Sequence, residues 1–403
     1  MLRNRLILLV ISAYLCFLYS ASSWAGSFLL SPKTYTRTTA QPNSYAESFA
    51  NCEPQSQYNL IVMNGNTDGS QRLSSATILL NGQKVLRANE LNQNVDKVIK
   101  PVSVQADNSL EVRLASGPSG KLTVSIECVA NCLEITITPV GGTITSNQTL
   151  ARGEVRTSSP EAGVTVNGFA ALVQGQSWAY FVALQQGINP INATATNSCG
   201  QTATATINIS ADPVSSPTLR LDARPLQGLA PLNVLLKART QIANPVYQWD
   251  FNGDGITDSS VTTFAEASHL YGQEGIYYPS VTVLDSQGQA HTETTLVQVV
   301  TREKLDTILQ SKWMGMKDSL RQGNIDQAIG YFAQSSRERY RGIFSAVQSQ
   351  LSDIVAGMGP IQFINLDNGV AKYRIRRQEA AGEITYHIFF VIDQDGIWRI
   401  KQF

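Results

Sequence analysis

Asp250, Asn252, Asp254 and Asp258 crowd one stretch of the chain, with Gly253 and Gly255 between them. Alternating Asp and Asn followed by Gly can wrap a calcium ion, which takes about six to eight oxygen ligands. The Ile256 carbonyl could supply one more oxygen. The match to a helix-flanked calcium loop fails at its last position, where Val261 stands in place of a bidentate Glu, and no helical pattern flanks the stretch. Calcium is therefore a candidate ion and not a required cofactor. The competing reading is a hairpin loop whose Asn-Gly and Asp-Gly steps supply turn geometry. Asp250 would then accept backbone hydrogen bonds beside a core Trp249.

Other chemistry is scarce. The three histidines, His269, His291 and His387, have no metal-ligand spacing with one another. A GxSxG elbow, an HExxH helix and a phosphate-cradling Gly-rich loop are all missing. An enzyme or a small-molecule pocket would draw on Tyr373, Tyr386 and His387, with Arg374, Arg376 and Arg377 nearby. These residues offer no pair of general acid and general base, so the chain reads as non-catalytic. The strand 384–392 is apolar on both faces, which predicts packing on two sides. Trp178, Trp249, Trp313 and Trp398 fall on strand or helix faces and are expected in cores, not on sugar-binding platforms.

Charge excludes one class of partner. Thirty-one basic and 31 acidic residues balance, which gives no support for a phosphate-tracking surface, and nucleic acid is not an expected partner. Lys372, Arg374 and Arg376 alternate along one face and read as the solvated side of a sheet.

The N-terminus points outward from the cytoplasm. Arg3 and Arg5 precede an apolar run at 6–18, and Ser23-Trp-Ala25 offers small residues before a cut. Residues 1–25 therefore read as a signal peptide. The run is shorter than the ~20 residues that a membrane span needs, so no transmembrane segment is expected after cleavage. Export to the periplasm, outer surface or medium follows. Cys52, Cys128, Cys132 and Cys199 then remain, and an even count in an exported chain favours disulfides. Of three connectivities, Cys52–Cys128 with Cys132–Cys199 is preferred, because each bridge closes within one module.

The elements that would position these residues come in blocks. Residues 26–57 are polar with no sustained period and read as a leader. Residues 58–130 form short alternating strands with a hairpin at Asn81-Gly82, the strongest short hairpin signal. Residues 131–212 repeat the plan, turning at Asn167-Gly168, and 211–217 form a Pro-containing linker. A third strand-rich block covers 217–301. Residues 302–403 then hold 25 of the 62 charged residues. There Leu305, Ile308, Leu309, Trp313, Met316 and Leu320 share a helix face. Gly323 stops that helix, Asn324 caps the next, and Ser335 with Glu338 offers a capping box for a third. Four strands follow, from Ile361 to Gln402.

Family resemblances rest on particular residues. Tyr247-Gln-Trp249-Asp250-Phe251-Asn252-Gly253-Asp254-Gly255, with His269-Leu-Tyr271, Gly275-Ile-Tyr277 and Val281-Thr-Val283, resembles the PKD domain. That family is an immunoglobulin-like sandwich of extracellular proteins, which implies a presenting or spacing role. Residues 133–210 are similar to the immunoglobulin-like domain B of glucodextranase-type proteins, through Pro139-Val-Gly-Gly142, Val164-Thr-Val-Asn-Gly168 and Gly187-Ile-Asn-Pro-Ile191. Asp395-Gly-Ile-Trp398-Arg-Ile400, closing helices and a meander, resembles the cystatin-like cone of nuclear transport factor two and ketosteroid isomerase.

The expected fold class is multidomain and mainly β: tandem immunoglobulin-like β-sandwiches followed by a C-terminal α+β domain at the end of a stalk. The expected function is adhesion, scaffolding or assembly at or beyond a bacterial cell envelope, with protein or polysaccharide as partner. Two alternatives are an accessory carbohydrate-binding protein and a small-molecule-binding or enzymatic C-terminal cone. The sequence leaves the oligomeric state open.

Overall fold

The computed structural model describes residues 28–403 apart from 39–40, 54, 116–118, 214–218, 260–262, 368 and 380–381. The expected signal peptide and most of the expected linker lie outside the described residues. Four hydrophobic cores form, one for each of three β-sandwiches and one for a C-terminal α+β unit. The mainly β, multidomain class holds.

The first sandwich pairs two four-stranded antiparallel sheets. One runs in the order Phe28–Thr36, Lys121–Ala130, Gln57–Asn64, Lys97–Val102; the other Asn43–Ala50, Asp107–Leu114, Ala76–Leu80, Gln83–Leu86. Two of these strands correct the reading of 26–57 as a leader. Asn43–Ala50 alternates half-buried and exposed along its length, and its Tyr45 and Phe49 pack on the core. Tyr45 also meets the fully buried Tyr35 of Phe28–Thr36, with ring centroids 5.3 Å apart. Both strands lie at sheet edges, where one covered face suffices, so Ser, Asn, Lys and Glu elsewhere on them hide the period.

The second sandwich repeats a detail of the first. Asn81 and Gly82, and again Asn167 and Gly168, all have positive φ, as a two-residue hairpin turn requires. In each turn the Asn side-chain oxygen accepts a backbone N–H from a neighbouring strand, that of Ser109 at 2.8 Å and that of Asn192 at 2.9 Å. The sheets are Leu172–Gln174, Ser177–Ala183, Gln148–Arg156, Glu134–Ile135 and Phe169–Ala170, Ala162–Val166, Gly187–Asn197, Thr202–Ala211. Trp178 is fully buried between them.

The third sandwich is built on Leu219–Arg224, Leu232–Thr240 and Glu266–Tyr271 against Val246–Asp250, Ser280–Leu284 and Ala290–Thr294. Gln227–Leu229 adds a parallel pairing to Val297–Val300. Trp249 and Tyr271 are fully buried.

In the C-terminal unit α1 (Arg302–Arg321), α2 (Ile325–Ile329), α3 (Arg337–Ala346) and α4 (Leu351–Ala356) cover a meander of Gln362–Asp367, Val370–Glu379, Gly382–Ile392 and Trp398–Gln402. Leu305, Leu309, Trp313, Met316 and Leu320 are the buried apolar face of α1. Asn324 caps α2 by accepting the Gln327 N–H at 3.0 Å. The capping box at Ser335 and Glu338 does not form. Ser336 is the N-cap of α3 without a side-chain cap bond. The two serine hydroxyls are held instead by the last strand: Lys401 Nζ donates to Ser335 Oγ, and Ser336 Oγ donates to the Lys401 carbonyl, both at 2.7 Å. Among the described residues no helix is long and apolar enough to cross a membrane.

Candidate functional site

The Asp250–Asp258 loop is braced by its own amides. Asp250, nearly buried, accepts the Gly253 N–H on Oδ1 at 2.7 Å and the Gly255 N–H on Oδ2 at 2.9 Å. Asp258 accepts the Phe251 N–H at 2.6 Å, and Asp254 the Ile256 N–H at 2.8 Å. Asn252 donates to Asp254 Oδ2 at 3.1 Å. Two glycines at φ +81° and +85° make these turns, and a Cβ on Gly253 would lie 2.7 Å from the Tyr278 carbonyl oxygen. No group of three or more acidic, His or Cys side chains converges as a metal cage among the described residues. The carboxylates act here as turn braces, so no calcium chemistry is derived from them. Tyr271 ties the loop down by donating its hydroxyl to the Phe251 carbonyl at 2.8 Å, and burial raises its pKa. His269 lies between the rings of Phe251 and Tyr271, 4.6 Å from each.

The loop also faces another unit. Asp250, Gly253 and Gly255 share a cleft with Pro139, Val140 and Arg152 of the second sandwich. The Arg152 guanidinium stacks 5.3 Å from the Tyr278 ring centroid.

The residues proposed for a cone pocket share one hairpin, with Arg374 paired to His387, but differ in burial. Tyr373 is fully buried among core rings, 5.4 Å from both Phe363 and Phe390. Burial pushes its hydroxyl pKa up, and the Asp306 carboxylate adds to the rise. Tyr386 and His387 are exposed on the far half of the hairpin, as are Arg376 and Arg377. Strand Gly382–Ile392 buries Ile388 and Phe390 on one side only. Its other side is shielded at Phe389 by Lys372, whose Nζ lies 5.5 Å from the ring centroid. Packing on two sides is thus corrected to packing on one. Trp178, Trp249 and Trp313 are core residues; Trp398 is half-buried and opens onto an inter-unit cleft.

Disulfide pairing differs from the preferred connectivity. The bridges are Cys52–Cys199 and Cys128–Cys132, with Cα separations of 5.7 and 5.8 Å. The cause lies in the first sandwich. Because Asn43–Ala50 is one of its strands, Cys52 emerges at the border with the second unit, where Cys199 follows the end of Gly187–Asn197. Asn131, at φ +54°, turns the chain so that Cys132 returns to Cys128. Beside the inter-unit bridge lies Glu53, 2% exposed. Its carboxylate accepts the Ser158 N–H at 2.7 Å, the Ser158 hydroxyl at 2.8 Å and the Asn197 amide at 2.9 Å, together with the Thr157 hydroxyl.

A second seam joins the second sandwich to the C-terminal unit, so that unit is not the free end of a stalk. Lys312 of α1 and Glu161 form an ion pair at 2.5 Å, with side chains 8% and 7% exposed. Glu161 also accepts the Trp398 N–H at 2.8 Å. Two glycines touch beside this pair: a Cβ on Gly163 would lie 2.3 Å from the Asp395 carbonyl oxygen, and one on Gly396 2.7 Å from the Val164 nitrogen. Sequence reading missed Glu53, Glu161 and Lys312. Gly163, inside a strand, was the available signal, since an interior strand glycine marks a close approach of another backbone.

A third seam joins the second and third sandwiches through Gln298, whose amide donates to the Val173 carbonyl at 2.7 Å. Gln148 donates to Glu293 at 3.2 Å, and burial raises the pKa of that carboxyl. Glu274 draws Gln174, Thr301 and Lys304 together, and the Lys304 ammonium lowers its pKa.

Fold and seams together define a modular protein of immunoglobulin-like β-sandwiches closed by an α+β domain. No protein-family model matches the chain, and no curated protein matches it. Among solved structures it is similar to the fibronectin(III)-like modules of Clostridium thermocellum CbhA, at 15% identity and a TM-score of 0.18, over 42% of this chain and 95% of that one. It is also similar to a chain in the complex of the mouse coronavirus receptor-binding domain with its murine receptor, at 10% identity and a TM-score of 0.18, over 42% of this chain and 100% of that one.

Proposed function

We propose that the chain is an exported, non-catalytic scaffold that holds protein or polysaccharide partners at a bacterial cell envelope or outside it, with its third sandwich a PKD domain. The observation that carries this reading is the second sandwich, fastened on three sides. Cys52–Cys199 and Glu53 tie it to the first unit, Glu161–Lys312 to the C-terminal unit, and Gln298 to the third sandwich. Buried ionic and covalent links at unit borders fix orientation, whereas domain borders joined by flexible linkers leave it free. Fixed orientation suits a frame that sets where its loops and edges meet partners. Two disulfides fit an oxidising compartment. Enzymatic work finds no support in Tyr373, which is buried in the core, or in Tyr386 and His387, which are exposed.

Fractionation of cells expressing the full chain tests the proposal. The expected result is a processed, disulfide-bonded protein outside the cytoplasm that cosediments with the envelope or matrix. A reduced, unprocessed protein in the cytosol, or one freely soluble and unattached outside it, contradicts the reading.

A further inference from the structure

Where the second sandwich, the third sandwich and the C-terminal unit meet, they enclose a cleft of about 530 Å³. That volume lies within the ~300–1,000 Å³ typical of small-molecule sites. Among the described residues, four carboxamides line the cleft. Gln174 and Gln176 reach it from the second sandwich, Gln227 and Gln298 from the third. Gln298 is 3% exposed; its amide nitrogen is spent on the Val173 carbonyl, and its Oε1 is buried with no donor among the described residues. A buried acceptor left without a donor is costly, by roughly 1–3 kcal/mol, and such a group in the wall of a cleft marks a place for a ligand hydroxyl or amide.

Charge in the same walls is largely cancelled. Glu161 is neutralised by Lys312 and Lys304 by Glu274, which leaves Glu303 exposed at the rim. An anionic ligand thus finds no unpaired cation among Glu161, Lys304 and their partners. The remaining surface is apolar, with Val173, Ile308 and the half-buried Trp398. Gln174 and Gln298 have their amide nitrogens engaged by Glu274 and the Val173 carbonyl. The carboxamides of Gln176 and Gln227 each offer a donor and an acceptor side by side, which matches adjacent hydroxyls that both give and take. An indole beside them can cover the C–H face of a sugar ring.

From this geometry we infer that the cleft binds a neutral carbohydrate of one or two residues, with a sugar hydroxyl donating to Gln298 Oε1 and a ring lying against Trp398. The site is of small-molecule size and lies outside the C-terminal core. It goes beyond the scaffold reading, whose cell-fractionation test does not depend on it.

The test is calorimetric titration of the full, oxidised chain with glucose, N-acetylglucosamine, maltose, cellobiose, xylobiose and di-N-acetylchitobiose. At least one is expected to bind with a Kd between about 1 μM and 1 mM. Gln298→Met should weaken that binding about tenfold, the worth of one hydrogen bond. Thr307→Trp, on the exposed face of α1 at the cleft mouth, should abolish it while leaving the melting temperature unchanged, so the test survives if Gln298→Met does not fold. Two results would overturn the inference: no binding to any of the six sugars, or unaltered binding by the Thr307→Trp chain.

Discussion

Replacing Lys312 by Met isolates the seam between the second sandwich and the C-terminal unit. Glu161 would keep its place, 7% exposed, with the Trp398 N–H as donor but without its cation. Removing one partner of a buried pair costs about 3–5 kcal/mol, because the remaining charge is left uncompensated. Replacing both partners by uncharged groups of similar volume is close to neutral. Glu161→Gln keeps an acceptor for Trp398, so the double variant Glu161→Gln with Lys312→Met should recover to within ~1 kcal/mol of the parent. Urea unfolding followed by tryptophan fluorescence reads both units, since Trp178 lies in one core and Trp313 in the other. A chain of several units can unfold in steps, and each transition is fitted separately. A Lys312→Met cost below ~1 kcal/mol, or a double variant as unstable as the single, would refute the seam as a buried, coupled contact.

Other outcomes follow from single residues. Gly163→Ala should open the same seam, because a Cβ there meets backbone at 2.3 Å; faster proteolysis between units and a larger radius by X-ray scattering are expected. Gly342→Ala, in α3 with nothing within 4 Å, should stabilise by ~0.5–1 kcal/mol. Tyr35 is buried without a partner at its hydroxyl, and burial, helped by Glu47, pushes its pKa up to about 12. A raised folded-state pKa means the native chain holds the proton longer, so this contribution is full below pH ~10 and lost as pH rises through 12. Tyr35→Phe should therefore leave stability unchanged or improved at pH 7 and flatten the alkaline loss; an unchanged alkaline profile would contradict this. Millimolar calcium should leave thermal melting unshifted, in the parent and in Asp254→Ala alike, whereas Asp250→Ala should destabilise by roughly 1–3 kcal/mol through two orphaned amides. A calcium-dependent rise lost in Asp254→Ala would restore the ion-binding reading.

What the sequence displays and what it hides divide along physical lines. Asn81-Gly82 and Asn167-Gly168 are legible because positive φ at both positions excludes most other residues. The face of α1 is legible because its period runs for five turns. Strands Phe28–Thr36 and Asn43–Ala50 are hidden because an edge strand with one covered face needs few apolar residues, and Tyr35, Tyr45 and Phe49 are too sparse to reveal an alternation. That omission carried the disulfide assignment with it: with 26–57 taken as a leader, Cys52 had no reason to stand at a border. The loop at Asp250 shows the reverse case, where acidic spacing suggests a ligand cage yet the oxygens serve local N–H groups. Contacts between units are the least visible, since Glu161 meets Lys312 and Gln298 meets Val173 across more than a hundred residues, and such pairs leave no local period.

Non-reducing peptide mapping of the full chain tests the fastening of units most directly. Trypsin releases peptides 38–72, 122–152 and 157–220, which hold Cys52, both Cys128 and Cys132, and Cys199 respectively. Peptide 38–72 joined to 157–220, with 122–152 carrying its own internal bridge, is the predicted result. All three peptides joined in one species, as Cys52–Cys128 with Cys132–Cys199 would give, contradicts it.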